Sequence, residues 1–158
     1  MSFSVVGSVV AILRGRRAGY LDAVLDVVVE AGIRSLEITL DTPGALDAIR
    51  RAGSRYGPEV TVGAGTVRTV SDVDAAVDAG ARFLVSPHTD PARDIREPLS
   101  DIPIVPTGGV SAENAAEWLA AGAVAVGVGG SLIGDALDGG DLGALSARAT
   151  AIMKAVAG

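Results

Sequence analysis

Three segments of this chain share one layout, in which a helix end is followed by a glycine and then by an apolar run. They span residues 30–38, 78–86 and 120–128. Apolar runs of this kind recur roughly every 20 to 26 residues, the length of one strand with its helix. Continuous apolar strands that alternate with helices indicate a parallel sheet covered by helices. We therefore predict an α/β chain of six βα units.

Hydrophobic periodicity, glycines and prolines set the predicted boundaries. The predicted strands are 8–13, 35–40, 60–63, 82–85, 102–105 and 123–128. The first predicted helices span 20–30 and 45–55, and a third runs from an N-cap at Ser71 to residue 79. A fourth spans 112–121, with Ser111 as a candidate N-cap. A short helix follows Gly130, and a last one ends at about residue 156. Each polar or glycine-rich signature follows a strand, at the edge of the sheet where α/β folds carry their active sites.

Composition narrows the classes of function. The net charge of −6 argues against nucleic acid and anionic membranes as partners. Without cysteine the chain has no disulfide framework, zinc-thiolate site or thiol nucleophile. With 158 residues and no recognisable signal peptide, we expect one cytoplasmic domain spanning 1–158.

Two Gly-Gly pairs follow the last two predicted strands. Gly108-Gly109 precedes one predicted helix, and Gly129-Gly130-Ser131 leads into another. Glycines let backbone N–H groups approach a ligand closely, and the positive end of a helix dipole favours an anion. Two such turns in succession predict a phosphate site in which Ser131 donates its hydroxyl and N–H groups. The alternative is that the glycines only permit tight turns.

Glu37 lies within the apolar strand L-E-I-T-L. A carboxylate there is costly to bury unless it is paired, and a raised pKa would suit proton transfer. We predict that Glu37 faces inward and is functional; the alternative is an outward residue paired with an arginine. Arg14 is a candidate carboxylate clamp or a solvated loop charge, and Thr66 is a candidate donor or a turn-stabilising residue.

Six motifs in order resemble one known family. They are V-A-I-L-R-G at 10–15, S-L-E-I-T-L at 35–40, V-G-A-G-T-V at 62–67, S-P-H-T-D-P at 86–91, P-T-G-G-V at 106–110 and G-V-G-G-S-L at 127–132. Together they are similar to the 2-keto-3-deoxy-6-phosphogluconate (KDPG) aldolase / 4-hydroxy-2-oxoglutarate (KHG) aldolase family. The resemblance implies a TIM-barrel-like (β/α)8 fold, usually a homotrimer. It also implies a metal-free and cofactor-free class I lyase that cleaves 2-keto-4-hydroxy acids to pyruvate and an aldehyde, with a lysine forming the Schiff base.

The resemblance also implies roles for particular residues. Glu37 matches the general acid/base, and Arg14 and Thr66 match groups that hold the pyruvyl carboxylate. Five further residues match the phosphate and lower-pocket positions: Thr107, Gly108, Gly109, Gly130 and Ser131. The implied ligand is a small phosphorylated or carboxylated keto acid.

The chain departs from the family pattern at two places. Asp41 stands where the phosphogluconate-type enzymes carry an arginine. Near 91–100, about two βα units are missing, including the strand that would carry the Schiff-base lysine. The only lysine in the sequence is Lys154, four residues from the end. Two hypotheses therefore stand: a lyase of this family, or an inactive truncated homologue that binds a phosphorylated ligand or a partner.

Overall fold

The computed structural model describes residues 7–17, 19–85 and 105–157. The strands are β1 Val9–Leu13, β2 Ser35–Thr39, β3 Thr61–Gly65 and β4 Val126–Val128. The α-helices are α1 Leu21–Glu30, α2 Ala45–Tyr56, α3 Val70–Asp78, α4 Ala115–Ala120, α5 Gly130–Ile133 and α6 Leu142–Val156. Two 3-10 turns, Gly57–Glu59 and Ala136–Asp138, complete the described elements.

The four strands form one parallel sheet in the order β3-β2-β1-β4. Leu84 adds a single parallel bridge to Ala64 beyond β3, and Thr107 adds one to Gly127 beyond β4. The α/β class and the parallel sheet are therefore confirmed. The six predicted βα units are not, because residues 82–85 make one bridge rather than a strand and the predicted strand at 102–105 lies almost wholly outside the described residues.

The two faces of the sheet differ in chemistry. Side chains alternate between faces, and residues paired across parallel strands share a face. Ala11, Leu36 and Val62 lie on the outer face and belong to the main hydrophobic core under the helices. On the inner face, Ile12 pairs with Glu37 and Glu37 with Gly63. The inner face therefore combines a carboxyl group with glycine, a composition that packing alone does not require.

Helix starts are the main local difference from the prediction. The N-cap of α3 is Thr69 and not Ser71, because the Thr69 hydroxyl accepts from the Asp72 N–H while the Asp72 carboxylate accepts from the Thr69 N–H. Helix α4 begins at Ala115 rather than near residue 112. The helix starts later than predicted because a turn precedes it, in which the Ser111 N–H donates to Asn114 Oδ1 at 3.0 Å.

The last helix closes the described part of the chain. Asp141 caps α6 by accepting from the N–H groups of Gly143 and Ala144, and the helix packs against α1, α4 and α5. Within the described ranges, none of the helices has the length and apolar character that crossing a bilayer requires.

Candidate active site

Glu37 is buried on the inner face of the sheet. Only 4% of the residue is exposed, and burial raises its pKa from 4.5 to about 7, although the nearby positive charge of Arg14 lowers it. A carboxyl group with a pKa near neutrality can both give and take a proton at pH 7. The inward orientation predicted for Glu37 agrees with its register, and its catalytic role remains a prediction.

Gly65 on β3 makes room for that carboxyl group. A Cβ atom built at Gly65 would fall within the Glu37 carboxylate, far inside contact distance. A Cβ at the neighbouring Gly63 would lie 2.5 Å from the ring of Phe83, which packs over the same inner face. The two glycines of the V-G-A-G-T-V motif therefore leave the space that the inward side chains occupy.

Arg14 follows β1 and is held by two groups. Its Nη2 atom donates to Thr66 Oγ1 at 2.9 Å, and its Nε atom lies 3.6 Å from Asp41 Oδ2. Thr66 is buried and has a φ of 61°, a left-handed conformation that no other non-glycine residue in the described ranges adopts. Strain of this kind persists only where surrounding contacts impose it, and it concentrates at functional sites.

A threonine pair joins the ends of β1 and β2. The Thr39 and Thr42 hydroxyls are 2.9 Å apart, Thr39 donates to the Leu13 carbonyl at 3.4 Å, and the Gly15 N–H donates to Thr42 Oγ1 at 3.1 Å. These bonds fix the loop that carries Arg14. Thr42 was not among the predicted site residues; its one sequence signal is its position directly after a strand end, before a proline.

The two Gly-Gly turns line one cavity of about 580 Å³. We call these turns, Thr107–Gly109 and Gly129–Ser131, the glycine cradle. Gly108 and Gly109 have φ values of 81° and 72°, which glycine adopts without the steric cost of a Cβ. Arg14 and Ile12 line the same cavity. The structure therefore brings Arg14, the five predicted phosphate and lower-pocket residues and the end of β1 together.

The cradle differs from its prediction in two details. The Ser131 hydroxyl donates to the Val110 carbonyl at 2.5 Å, so that it joins the two turns and is not free to donate to a ligand. The helix dipoles also contribute little at the cradle, because α5 has only four residues and α4 starts six residues after Gly109. Backbone N–H groups and Arg14 are the anion-attracting groups that the cradle presents.

Glu37 and Thr66 adjoin the cradle without lining it. Arg14 connects Glu37 and Thr66 to the cradle: it donates to Thr66, its charge lowers the pKa of Glu37, and its side chain lines the cavity. Lys154 lies on the exposed side of the last turn of α6, a helix that packs outside the sheet. His88, the only histidine, lies outside the described residues.

Known proteins are similar to most of this chain. A family model for KDPG and KHG aldolases matches residues 4–92. A KHG/KDPG aldolase of Escherichia coli is 34% identical over 111 residues, which are 66% of this chain and 49% of that protein. A 2-dehydro-3-deoxy-phosphogluconate aldolase of Dickeya dadantii is 28% identical over 201 aligned positions, covering 96% of this chain and 92% of the relative.

The fold has solved counterparts as well. A native KDPGal structure superposes with a TM-score of 0.82 at 25% identity, covering 98% of this chain and 97% of that one. In its local matches the chain spans about half the length, or less, of curated relatives. The family model matches more than half of the chain. This chain belongs to the KDPG and KHG aldolase family.

Proposed function

We propose that this protein binds a phosphorylated or carboxylated 2-keto acid and serves the lyase reaction that yields pyruvate and an aldehyde. One observation carries the proposal: Glu37 is buried on the inner face with a pKa of about 7, beside an arginine that lines a glycine-walled cavity. Buried titratable groups next to a cavity are the usual mark of a reactive site.

Arg14 and Thr66 would hold the keto-acid carboxylate. A guanidinium group can bind a carboxylate with two parallel hydrogen bonds, and the contacts to Thr66 and Asp41 restrict its position. Because those contacts use Nη2 and Nε, a ligand would bind through Nη1 and the remaining proton of Nη2. Asp41 would reduce the net positive charge at this end of the site.

Glu37 would move protons at the keto-acid end. Its pKa near 7 places both protonation states within reach, which is the condition for efficient general acid–base catalysis. In the class I reaction that the family resemblance implies, this group would transfer protons at the carbinolamine and at the pyruvyl carbon.

The glycine cradle would bind the phosphate or second carboxylate of the ligand. Gly108, Gly109, Gly130 and Ser131 expose backbone N–H groups in the turns that line the cavity, and Thr107 adds a hydroxyl. The Gly108 N–H faces the Gly127 carbonyl, because Thr107 and Gly127 form a parallel bridge. Among the described residues, the N–H groups of Gly109, Gly130 and Ser131 have no hydrogen-bond acceptor. A phosphate oxygen would supply one.

Among the residues that the structure describes, none places a primary amine at this site. Lys154 is exposed on the outer helix α6 and is the only lysine. We infer that two βα units are absent near 91–100. The family-model match that ends at residue 92 supports this, and so do the 201 aligned positions with the Dickeya enzyme, at least 43 more than the 158 residues here.

A second candidate function follows from the position of Lys154. The chain would bind keto acids or phosphorylated ligands without cleaving them, because an imine requires a primary amine within the pocket. The two candidates share every binding residue and differ in one covalent step. They can therefore be separated by trapping that step.

Reduction with borohydride in the presence of pyruvate is the direct test. The lyase candidate predicts a pyruvyl adduct on a lysine, detected by intact mass and located by peptide mapping, and lost in Lys154→Arg. The second candidate predicts pyruvate binding by NMR without an adduct. A protein that binds neither pyruvate nor inorganic phosphate and forms no adduct would refute both. Sedimentation of the same sample would show whether the family homotrimer forms.

A further inference from the structure

Arg148 on α6 binds the C-terminal end of α5. Its Nε atom donates to the Leu132 carbonyl at 2.6 Å, and its Nη2 atom donates to the Ile133 carbonyl at 3.0 Å. Both acceptors belong to the last two residues of that helix. Within the described ranges, no carboxylate lies within ion-pair distance of Arg148. Its charged donors are therefore used on backbone carbonyls.

Helix α5 depends on such contacts. A four-residue helix has no interior, so each of its carbonyls lies in the last turn, where helices leave carbonyls without intrahelical donors. The Gly134 N–H supplies one bond, to the Gly130 carbonyl at 2.9 Å. A helix this short has no stability of its own. Its position is set by Arg148 and by the buried Leu132 and Ile133 side chains.

The other end of α5 belongs to the glycine cradle. Gly130 and Ser131 begin the helix and line the cradle cavity, and the Ser131 hydroxyl joins them to the Val110 carbonyl of the opposite turn. Arg148 is not among the residues that line this cavity. It lines a separate one of about 270 Å³ behind Ser131. Any effect of Arg148 on a ligand is therefore transmitted through α5.

We propose that Arg148 is a positioning residue for anion binding: its two hydrogen bonds hold α5 so that the Gly130 and Ser131 N–H groups stay where an anion can accept from both. The inference rests on the proposed function in one respect, since it requires the glycine cradle to bind phosphate. Gly134 supports the arrangement. A Cβ there would lie 2.9 Å from Arg148 Nη2, so glycine at this position lets the guanidinium approach the helix end.

The geometry distinguishes this role from a simple charge effect. A positive charge near the cradle would attract phosphate whether an arginine or a lysine carried it. Holding two adjacent carbonyls needs the fixed fork of a guanidinium, which a lysine ammonium does not reproduce. Arg148→Lys keeps the charge and loses the fork, whereas Arg148→Met loses both. Arg50→Met is the matched control, because it removes one exposed arginine charge on α2, away from the cradle.

Titrations of inorganic phosphate and of pyruvate, followed by the amide NMR signals of Gly130 and Ser131 and by calorimetry, test the proposal. Loss of one well-formed charged hydrogen bond corresponds to about a tenfold change in affinity. We expect both Arg148 variants to bind phosphate about tenfold more weakly, with pyruvate affinity within roughly twofold of the wild type. We expect Arg50→Met to bind both as the wild type does.

Wild-type phosphate affinity in Arg148→Lys would overturn the proposal, because charge alone would then account for binding. Equal losses of phosphate and pyruvate affinity would also overturn it, since they would indicate general damage to the fold. If the variants do not fold, the wild type still decides the question: by reciprocity, phosphate must slow solvent exchange of the Arg148 Nε–H proton. Unchanged exchange refutes the inference alone. A wild type that binds no phosphate refutes the anion-binding part of the proposed function, and the inference with it.

Discussion

Replacing Glu37 by glutamine should make the protein more stable at alkaline pH and leave it nearly unchanged in acid. Burial raises the pKa of Glu37 from 4.5 to about 7. Between these values the folded state holds a proton that the unfolded state has released, so stability falls as pH rises through this window. Below 4.5 the carboxyl is protonated in both states and costs nothing; above 7 it is ionised in both, and the full cost is present.

The size of the effect follows from the shift. One pKa unit corresponds to 1.36 kcal/mol, so a shift from 4.5 to about 7 makes ionised Glu37 cost about 3 kcal/mol. Glutamine has nearly the shape of the protonated acid and does not titrate. The measurements stay above the pI of about 4.6, because a protein with no net charge tends to associate. From pH 5 to 8.5 the difference in unfolding free energy between Glu37→Gln and wild type should grow by about 2 to 3 kcal/mol.

Urea unfolding at pH 5, 6, 7 and 8.5 measures this difference, because the titration of all other carboxylates cancels between the two proteins. Glu117→Gln is the control for removing one carboxylate, since Glu117 is exposed on α4. A carboxyl-carbon NMR titration should place the Glu37 midpoint near 7. A pH-independent difference in unfolding free energy between Glu37→Gln and wild type would show that burial does not penalise the ionised Glu37 carboxylate.

Two further changes test the space and the charge around the same site. Gly65→Ala places a methyl group within the Glu37 carboxylate and should lower the free energy of unfolding in urea by about 1 to 3 kcal/mol. Gly53→Ala has open space on α2 and should raise it by up to about 1 kcal/mol. Equal effects of the two substitutions would contradict the close contact at Gly65. Asp41→Asn frees Arg14 from a partly exposed ion pair and should strengthen pyruvate binding by roughly two- to fivefold at low salt. The gain should be smaller at high salt, because salt screens the ion pair. Unchanged affinity at low salt would show that the ion pair does not compete with a ligand.

Local signals in the sequence predicted the well-separated elements well. Helices α1 and α2, strands β1 and β2 and the end of α6 fall within a residue or two of their predicted bounds. Their periodicity is clear, and glycines or prolines lie near most of these bounds. The starts of α3 and α4 were wrong. At α3, both Thr69 and Ser71 can cap a helix, and only the folded chain shows that Thr69 accepts the bond. At α4, a turn between Ser111 and Asn114 precedes the helix.

The site was predictable as a set of residues and not as a set of contacts. Glu37 stood out because a charge within an apolar strand is rare, and the glycine pairs stood out by their position after strands. The contact of Glu37 with Gly65 depends on the pairing of β2 with β3, and the left-handed φ of Thr66 is visible only in the folded chain. Arg148 carried no sequence signal, because its partners are backbone carbonyls, which every residue has.

The protonation state of Glu37 bears on which candidate function the chain can perform. A pKa of about 7 reflects burial opposed only by the charge of Arg14, so that near neutral pH the carboxyl is protonated about half of the time. A cationic imine beside it would lower that pKa and raise the fraction of ionised carboxylate, which is the form that abstracts a proton. Without the imine, protonated Glu37 is a hydrogen-bond donor suited to a keto oxygen or a carboxylate. The same residue therefore suits both candidate functions: protonated, it can donate to a bound ligand, and beside an imine it can transfer protons.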